Sequence, residues 1–351
     1  MKVVKMGYSK LTFMVDNKGT VDEQNPSIPY LSIIIPVYNA QKTLKKCLRA
    51  IFSSDYQDFE VIVIDDGSRD NSLEIASLFN CQIIKSEHNQ GASATRNKGT
   101  KMAKGEVLLF IDADIVIKRD TLNLFVESLK DYAAVFGIYS QKPGINNLLS
   151  LYQNFYAHKS MMATKEITSM FYSYCAAIKK GLFEQVGGFN ETWKRATFED
   201  VEFGLRVAEK GHQIYLHKRI EVVHHVSYNL KRFFKNYYYK SLDLSKFMFS
   251  KKRLSLSNEG WTNYKNQLSL LAGLSIIPLL ILTFMHPWFI LPLLAPVGVF
   301  MFLNADFYKF ILGEKPIFIP AAIFLNLMVH LVAAAGITVG LISYLKEKGV
   351  K

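Results

Sequence analysis

The sequence predicts an α/β domain on a mainly parallel sheet, followed by an α-helical membrane domain. Three observations predict it. Between residues 31 and 111, short apolar runs alternate with helix-period segments, the spacing of strand–helix–strand units joined by right-handed crossovers. Acidic clusters close two of those runs, the place where open parallel sheets bind ligands. Beyond residue 267, long uncharged runs replace the mixed composition of the rest of the chain.

Residues 1–29 show no sustained period and end in Asn25-Pro26-Ser27-Ile28-Pro29, so they are expected to be an N-terminal extension. Met1 to Val15 is broken by Lys2, Lys5 and Lys10 and lacks the apolar stretch of a signal peptide. Leu31 to Val37 predicts a buried strand halted near Pro36. Asn39 is expected to cap a helix in which Leu44, Cys47, Leu48 and Ile51 share one face. Phe59 to Ile64 is a second strand, closed by Asp65-Asp66-Gly67-Ser68. A helix over about 70–79, a strand over about 81–85 and a glycine-started helix over about 91–103 follow. The next strand, Glu106 to Ile111, runs into Asp112-Ala113-Asp114, and Ile220 to Val223 predicts another before His224 and His225. The α/β domain is thus placed at residues 30–227.

Residues 228–266 hold nine basic side chains against two acidic ones, Asp243 and Glu259, which is +7 of the whole chain's +12. The basic residues (Lys231, Arg232, Lys235, Lys240, Lys246, Lys251, Lys252, Arg253 and Lys265) alternate with aromatics such as Phe233, Tyr237, Tyr238 and Trp261. Such a mixture suits nucleic acid, but the long apolar runs C-terminal to it argue for a membrane-surface collar and no nucleic acid. Residues 268–285, 287–303 and 316–345 carry no charge apart from a titratable His330, and about 20 apolar residues cross a bilayer core. Three transmembrane helices are therefore expected within 267–346, with a tail at 347–351; a buried soluble hairpin is the competing account. The collar puts the α/β domain on the cytoplasmic side of a cell membrane. A lone His330 deep in a span is too little for an ion path. Cys47, Cys81 and Cys175 are odd in number and lack metal-ligand spacing, which fits a reducing compartment.

Asp112 and Asp114 at a strand end suit one Mg²⁺ or Mn²⁺ shared with substrate phosphates, although many such pairs are solvated turns. Asp65 and Asp66 fit a ligand site or a capped turn, and Arg96 an anion partner or a surface arginine. Glu199 and Asp200 precede apolar Val201, Phe203, Leu205 and Val207; by spacing alone they read as acids at a helix N-terminus.

Six segments in order resemble family 2 glycosyltransferases: Ile33-Ile34-Ile35-Pro36-Val37-Tyr38-Asn39, Asp65-Asp66-Gly67-Ser68, Asn89-Gln90-Gly91-Ala92-Ser93-Ala94-Thr95-Arg96-Asn97, Asp112-Ala113-Asp114, Val186-Gly187-Gly188-Phe189-Asn190-Glu191 and Phe198-Glu199-Asp200-Val201-Glu202-Phe203. The resemblance covers about residues 30–230. It implies a Rossmann-like GT-A fold, a nucleotide-diphosphate sugar donor (most often with UDP), a divalent metal (Mn²⁺ or Mg²⁺) and inversion at the anomeric carbon. By the same resemblance Tyr38 lies against the nucleobase and Pro36 shapes its loop. Asp65 accepts from the uracil imide, Asp66 sits near base or ribose, and Arg96 helps hold the nucleotide. Asp112 reaches ribose or metal, and Asp114 ligates the metal. Asp200 is the general base, and His224 or His225 completes the metal site, although a histidine there is more often structural. Glu199, Trp193, Lys231 and Arg232 are candidate acceptor or phosphate contacts, with packing or membrane contact as alternatives.

The Gln-x-x-Arg-Trp signature of processive synthases is absent; Leu230-Lys231-Arg232-Phe233-Phe234 stands there instead, which points to one sugar per event. Leu148, Leu149, Leu151, Tyr152, Phe155 and Tyr156 are expected either on the bilayer or in a core. The expectation is a membrane-anchored, metal-dependent, inverting glycosyltransferase of glycolipid or polysaccharide synthesis, acting on a hydroxyl of a lipid or lipid-linked saccharide. A polyprenyl-phosphate sugar synthase and a non-catalytic sugar-nucleotide-binding membrane protein are the alternatives.

Overall fold

The computed structural model describes residues 30–193, 195–250 and 264–348. The N-terminal extension, the Lys251-Lys252-Arg253 run, Glu259, Trp261 and the last three residues lie outside the described residues. One nine-stranded sheet organises the α/β part. Its strands are β1 (Leu31–Val37), β2 (Phe59–Asp65), β3 (Gln82–Lys85), β4 (Val107–Ile111), β5 (Ile115–Val116), β6 (Ala134–Tyr139), β7 (Ile167–Thr168), β8 (Cys175–Lys179) and β9 (Ile214–His224). Its helices are α1 (Leu44–Phe52), α2 (Ser72–Ala76), α3 (Ala92–Met102), α4 (Thr121–Ser128), α5 (Leu148–Ala163), α6 (Lys180–Val186) and α7 (Glu199–Glu209). Then come α8 (Leu230–Ser250), α9 (Tyr264–Met285), α10 (Ile290–Leu303), α11 (Ala305–Glu314) and α12 (Ile319–Glu347).

The sheet runs β3-β2-β1-β4-β8-β6-β9-β5, with β7 also on β9. The half predicted from sequence is parallel: β1 pairs with β2 and β4, and β2 with β3. Helices cover both of its faces, so β4 is buried at every residue and β1 at all but Pro36, as central parallel strands are. Pro36 lacks a ladder donor, and it lies past the last β1–β4 pairing at Ile34–Phe110. Beyond β4 the sheet is mixed: β8 is antiparallel to β4 and β6, β6 is parallel to β9, and β5 and β7 are antiparallel to β9. The α/β class stands, with a mixed rather than uniformly parallel sheet.

Two local expectations are corrected. Asn39 does not cap a helix; α1 begins at Leu44, and Thr43 precedes it without a side-chain cap. Asn39 instead takes a left-handed φ of 51°, which asparagine tolerates, and its Oδ1 accepts from the Arg69 amide at 2.9 Å, stitching the first loop to the second. The helix expected over about 70–79 is only the short α2, Ser72–Ala76.

The C-terminal helices meet the α/β part through α5 and α8. Leu149, Leu151, Tyr152, Phe155 and Tyr156 of α5 are buried in one cluster with Phe233 and Tyr237 of α8, Phe307 and Ile311 of α11, and Leu325 and Val329 of α12. Packing, not a bilayer surface, therefore takes most of that apolar stretch, although Leu148 remains exposed. Within the cluster Tyr152 Oη donates to Asn326 Oδ1, and Asn326 Nδ2 donates to Tyr308 Oη, each at 2.9 Å, so the buried amide is satisfied. Helices α8 and α12 approach closely enough that a side-chain carbon at Gly336 would collide with the Tyr238 carbonyl, so only glycine fits there.

Among the described residues two helices are long and apolar enough to cross a membrane, Lys265–Met285 and Pro316–Glu347. The third apolar run is a bent pair: Pro287–Leu303 and Ala305–Glu314 meet at 61°. Asn304 sits at the bend, and its Nδ2 donates to Ser269 Oγ at 2.7 Å and to the Phe300 carbonyl at 2.8 Å. Phe284, Trp288, Phe302 and Ile317 are exposed on these helices, a surface suited to lipid.

Candidate active site

Two acidic groups stand at neighbouring strand ends. The first follows β2. Asp65 is fully buried and accepts from the Ser68 amide at 3.2 Å. Asp66 accepts from the Gln90 amide at 2.8 Å and the Gly91 amide at 3.0 Å, fastening the loop that opens α3. Gly67 sits at φ 78°, and a side-chain carbon added there would stand 3.0 Å from the His88 backbone, so glycine suits this turn. Pro36 and the half-exposed Tyr38 sit beside it at the end of β1.

The second group follows β4 and is organised by Arg96. This α3 side chain is only 3% exposed. Its Nη2 donates to Asp112 Oδ1 at 2.8 Å and its Nη1 to Glu199 Oε1 at 3.2 Å, tying the strand end to the start of α7. Arg96 is thus an internal bridge between two acidic motifs and not a surface arginine. Its Nε is buried without a hydrogen-bond partner among the described residues. Glu199 also accepts from the Thr197 amide at 2.8 Å. Asp200 Oδ1 accepts from its neighbour Val201's amide at 2.8 Å, and Oδ2 accepts from the Ser173 amide at 3.3 Å and Oγ at 3.5 Å.

Burial, then the nearby Asp200 charge, push the Glu199 carboxyl up to about 7, with Arg96 pulling the other way. Burial also raises Asp200, against the pull of Arg96 and Lys240. Asp112 is raised by burial and by Asp114, partly offset by Arg96. It keeps 33% of its side-chain surface accessible because it faces a cavity. Burial alone would raise Asp114 too, but His224 outweighs it and holds that carboxyl below its ordinary value.

His224 Nε2 lies 3.4 Å from Asp114 Oδ2. Its ring stacks on Tyr139 at 4.7 Å, and Tyr139 stacks on Tyr174 at 4.1 Å. His225 meets Asp114 through its backbone amide, 2.8 Å from the Asp114 carbonyl, and its ring packs by Gly144. Among the described residues no three His, Cys, Asp or Glu side chains converge as a metal-binding group. Asp114 offers a carboxylate oxygen and His224 an imidazole nitrogen, the donors here that could serve a divalent cation taking its remaining oxygens from water and substrate phosphates. Asp112, held by Arg96, stands beside them.

A cavity of about 540 Å³ joins these parts. Arg96, Asp112, Glu199, Asp200 and His224 line one end, and it continues between α5, α8, α9 and α12 as far as Ala333 and Ile337. Pro36, Tyr38, Asp65 and Asp66 form a separate group outside its lining. Trp193 packs edge-on against Phe198 at 5.6 Å and is also outside the lining, with its indole Nε1 buried and unpartnered among the described residues. Lys231 is exposed, and Arg232 lies over the Tyr228 ring at 5.5 Å.

Sequence reasoning missed three participants. Tyr139 orients His224, and Ser173 holds Asp200. Lys240 lines the cavity, where burial lowers its pKa against the pull of Asp200 and Glu199. A signal for Lys240 existed: it falls at helical spacing on the face of α8 that carries Phe233, Tyr237 and Leu244, where a lysine is out of place.

Residues 32–187 match the family model described as Glycosyl transferase family 2. Glycosyltransferase GlyG of Streptococcus pneumoniae is 34% identical over 116 residues, 31% of this chain and 38% of that protein. Glycosyltransferase AglE of Haloferax volcanii is 40% identical over 95 residues, 25% of this chain and 31% of that protein. The chain thus spans between about a third and two fifths of these relatives' length. The fold is similar to a mannosyltransferase from Pyrobaculum calidifontis, PcManGT, solved in complex with GDP-Man and Mn²⁺. The two share a TM-score of 0.56 and 18% identity over 88% of this chain and 87% of that one.

Proposed function

We propose that this chain, whose residues 32–187 match the Glycosyl transferase family 2 model, moves a sugar from a nucleotide-diphosphate sugar to a hydroxyl of a lipid or lipid-linked saccharide at a membrane. The observation that carries this reading is the shared cavity. The carboxylates at one end and the candidate membrane helices α9 and α12 at the other line the same space. A nucleotide would lie over the ends of β1 and β2, by Tyr38 and Asp65, with its diphosphate toward Asp112 and Asp114. Asp114 and His224 would hold a divalent cation, which when bound supplies Lewis-acid stabilisation of the leaving diphosphate.

Asp200 takes the acceptor hydroxyl's proton on its carboxylate as that oxygen attacks the anomeric carbon. Its raised pKa makes it a stronger base than a solvated aspartate. Ser173 fixes the direction of its Oδ2. Arg96 bridges Asp112 and Glu199 and so sets the spacing between donor and acceptor sides. Attack from the face opposite the diphosphate inverts the anomeric centre. The α/β part would sit on the cytoplasmic side, with residues 30–227 as the catalytic unit and α8 beside the membrane.

The test is nucleotide release from UDP-, GDP- and dTDP-sugars by the full chain in detergent, with Mn²⁺ or Mg²⁺ and extracted membrane lipid. Asp200→Asn should lower kcat by about 10²- to 10⁴-fold, the range for a general base. One observation favours a second reading, transfer to a lipid phosphate: Lys240 lines the cavity that Asp200 faces. A phosphate oxygen needs no base, so equal turnover in wild type and Asp200→Asn would select that reading.

A further inference from the structure

The far end of the cavity adjoins a second hollow on the helices. A groove of about 490 Å³ runs between α9 and α12, and Leu270 and Ile337 line both the groove and the cavity. The groove is walled by Leu274, Ala334 and Val339, with Thr338 its one polar side chain among the described residues. Both of its walls belong to helices long and apolar enough to cross a membrane, and in a bilayer it would face hydrocarbon. Inward from Leu270 and Ile337 the lining is mostly apolar, with Leu271, Met248 and Leu244, and carries polar Ser245, Gln267 and His330 among them. One helical turn from Leu244 it reaches Lys240, and beyond that the Glu199–Asp200 carboxylates. Among the described residues Lys240 makes no ion pair or hydrogen bond; its charge is felt by Asp200 and Glu199 without contact.

We infer that this passage is a lateral entry channel for an amphiphile with an apolar chain and an anionic head. The chain enters from the bilayer between α9 and α12 and lies along the apolar arm. The Lys240 ammonium takes the anionic group, a phosphate, where the arm meets the carboxylates. A cation at that point stabilises a bound anion in low dielectric and offsets its repulsion from Glu199 and Asp200. The inference rests on the reading of a lipid acceptor and adds to it a route and a recognition group. Fatty tail and phosphate are both required, because an apolar chain alone leaves Lys240 without a partner and free phosphate leaves the arm unfilled.

The experiment uses the full chain in phosphatidylcholine nanodiscs. The probes are dodecyl phosphate and neutral dodecyl glucoside, each with a diazirine at the chain end, read by photolabelling and peptide mass spectrometry. Labels are expected on the α9 and α12 peptides that hold Leu270 and Ile337. Lys240→Gln should weaken capture of the phosphate probe about tenfold, the worth of one charge-assisted hydrogen bond, and leave the glucoside probe unchanged. Lys240→Arg should restore it. Ile337→Trp and, from the facing helix, Leu270→Trp should exclude both probes. Equal capture of the phosphate probe by wild type and Lys240→Gln, or equal loss of both probes, overturns the anion site. Labelling that ignores both tryptophan variants overturns the channel. Nucleotide-sugar binding by the wild type is measured in the same discs. A protein that fills the channel but binds no nucleotide sugar would sink the transferase reading and leave the channel standing.

Discussion

Asp66 and Asp112 lie at the ends of strands separated only by β1, yet their carboxylates are held in opposite ways. Asp66 is satisfied by two backbone amides and behaves as part of a loop. Asp112 is held by a buried guanidinium that also serves Glu199, and it faces open space. Backbone partners cannot change charge or move far, so the first carboxylate is a fastening. Side-chain partners leave the second group responsive to each other's protonation and to any ligand charge. An acidic doublet in sequence therefore says little until its partners are known.

The largest effect that would break this contrast is at Arg96. Arg96→Met strands two carboxylates against each other, and removing one side of a buried ionic group costs about 3–5 kcal/mol. The midpoint of thermal unfolding in detergent should fall clearly. An unchanged midpoint would mean that the bridge does not hold strand β4 to α7. A smaller effect is expected at the fastening. Asp66→Asn turns an amide N–H toward a backbone N–H, leaving one donor unmet, a cost of about 1–3 kcal/mol. Loosening the loop should raise the KM for the donor more than it lowers kcat, and a pure kcat effect would refute the assignment of Asp66 to the loop.

The subtlest prediction is a pair of opposed pH dependences. Glu199 has a folded value of about 7, raised chiefly by burial from an ordinary 4.5. Its contribution to stability is therefore complete below 4.5 and is lost as pH rises through about 7. Turnover that needs ionised carboxylates runs the other way, growing across the same window. Glu199→Gln should flatten the stability profile and move the acid limb of kcat to lower pH. If stability and activity rise together between those values, the pair is not poised as described.

Much of this was legible in the sequence because it rests on local pattern. The apolar runs of β1, β2 and β4 are buried on both faces and leave an unmistakable signal. The ordered motifs place Asp65, Asp112 and Asp200 at strand and helix ends, where the fold puts them. What escaped depends on pairing across long separations. The antiparallel insertion of β8 between β4 and β6 has no mark in either strand, since both read as short apolar runs. Asn39 looked like a cap because asparagine serves equally well in a left-handed loop position, and only the fold decides which. Lys240 and Tyr139 become site residues only when α8 and β6 arrive beside β4 and α7.

The contact of Gly336 with the Tyr238 carbonyl has a mechanical consequence. At Gly336, and again at Gly340 against Ser245 and the Leu242 carbonyl, α8 and α12 come together with little compliant layer to absorb relative sliding. Any change in the tilt of α12 must be passed on to α8, and α8 carries Lys240 into the cavity. A helix tilts when its apolar length exceeds the thickness of the bilayer around it. For an α12 that crosses a bilayer, the position of that ammonium would follow membrane thickness through the close seam at Gly336 and Gly340.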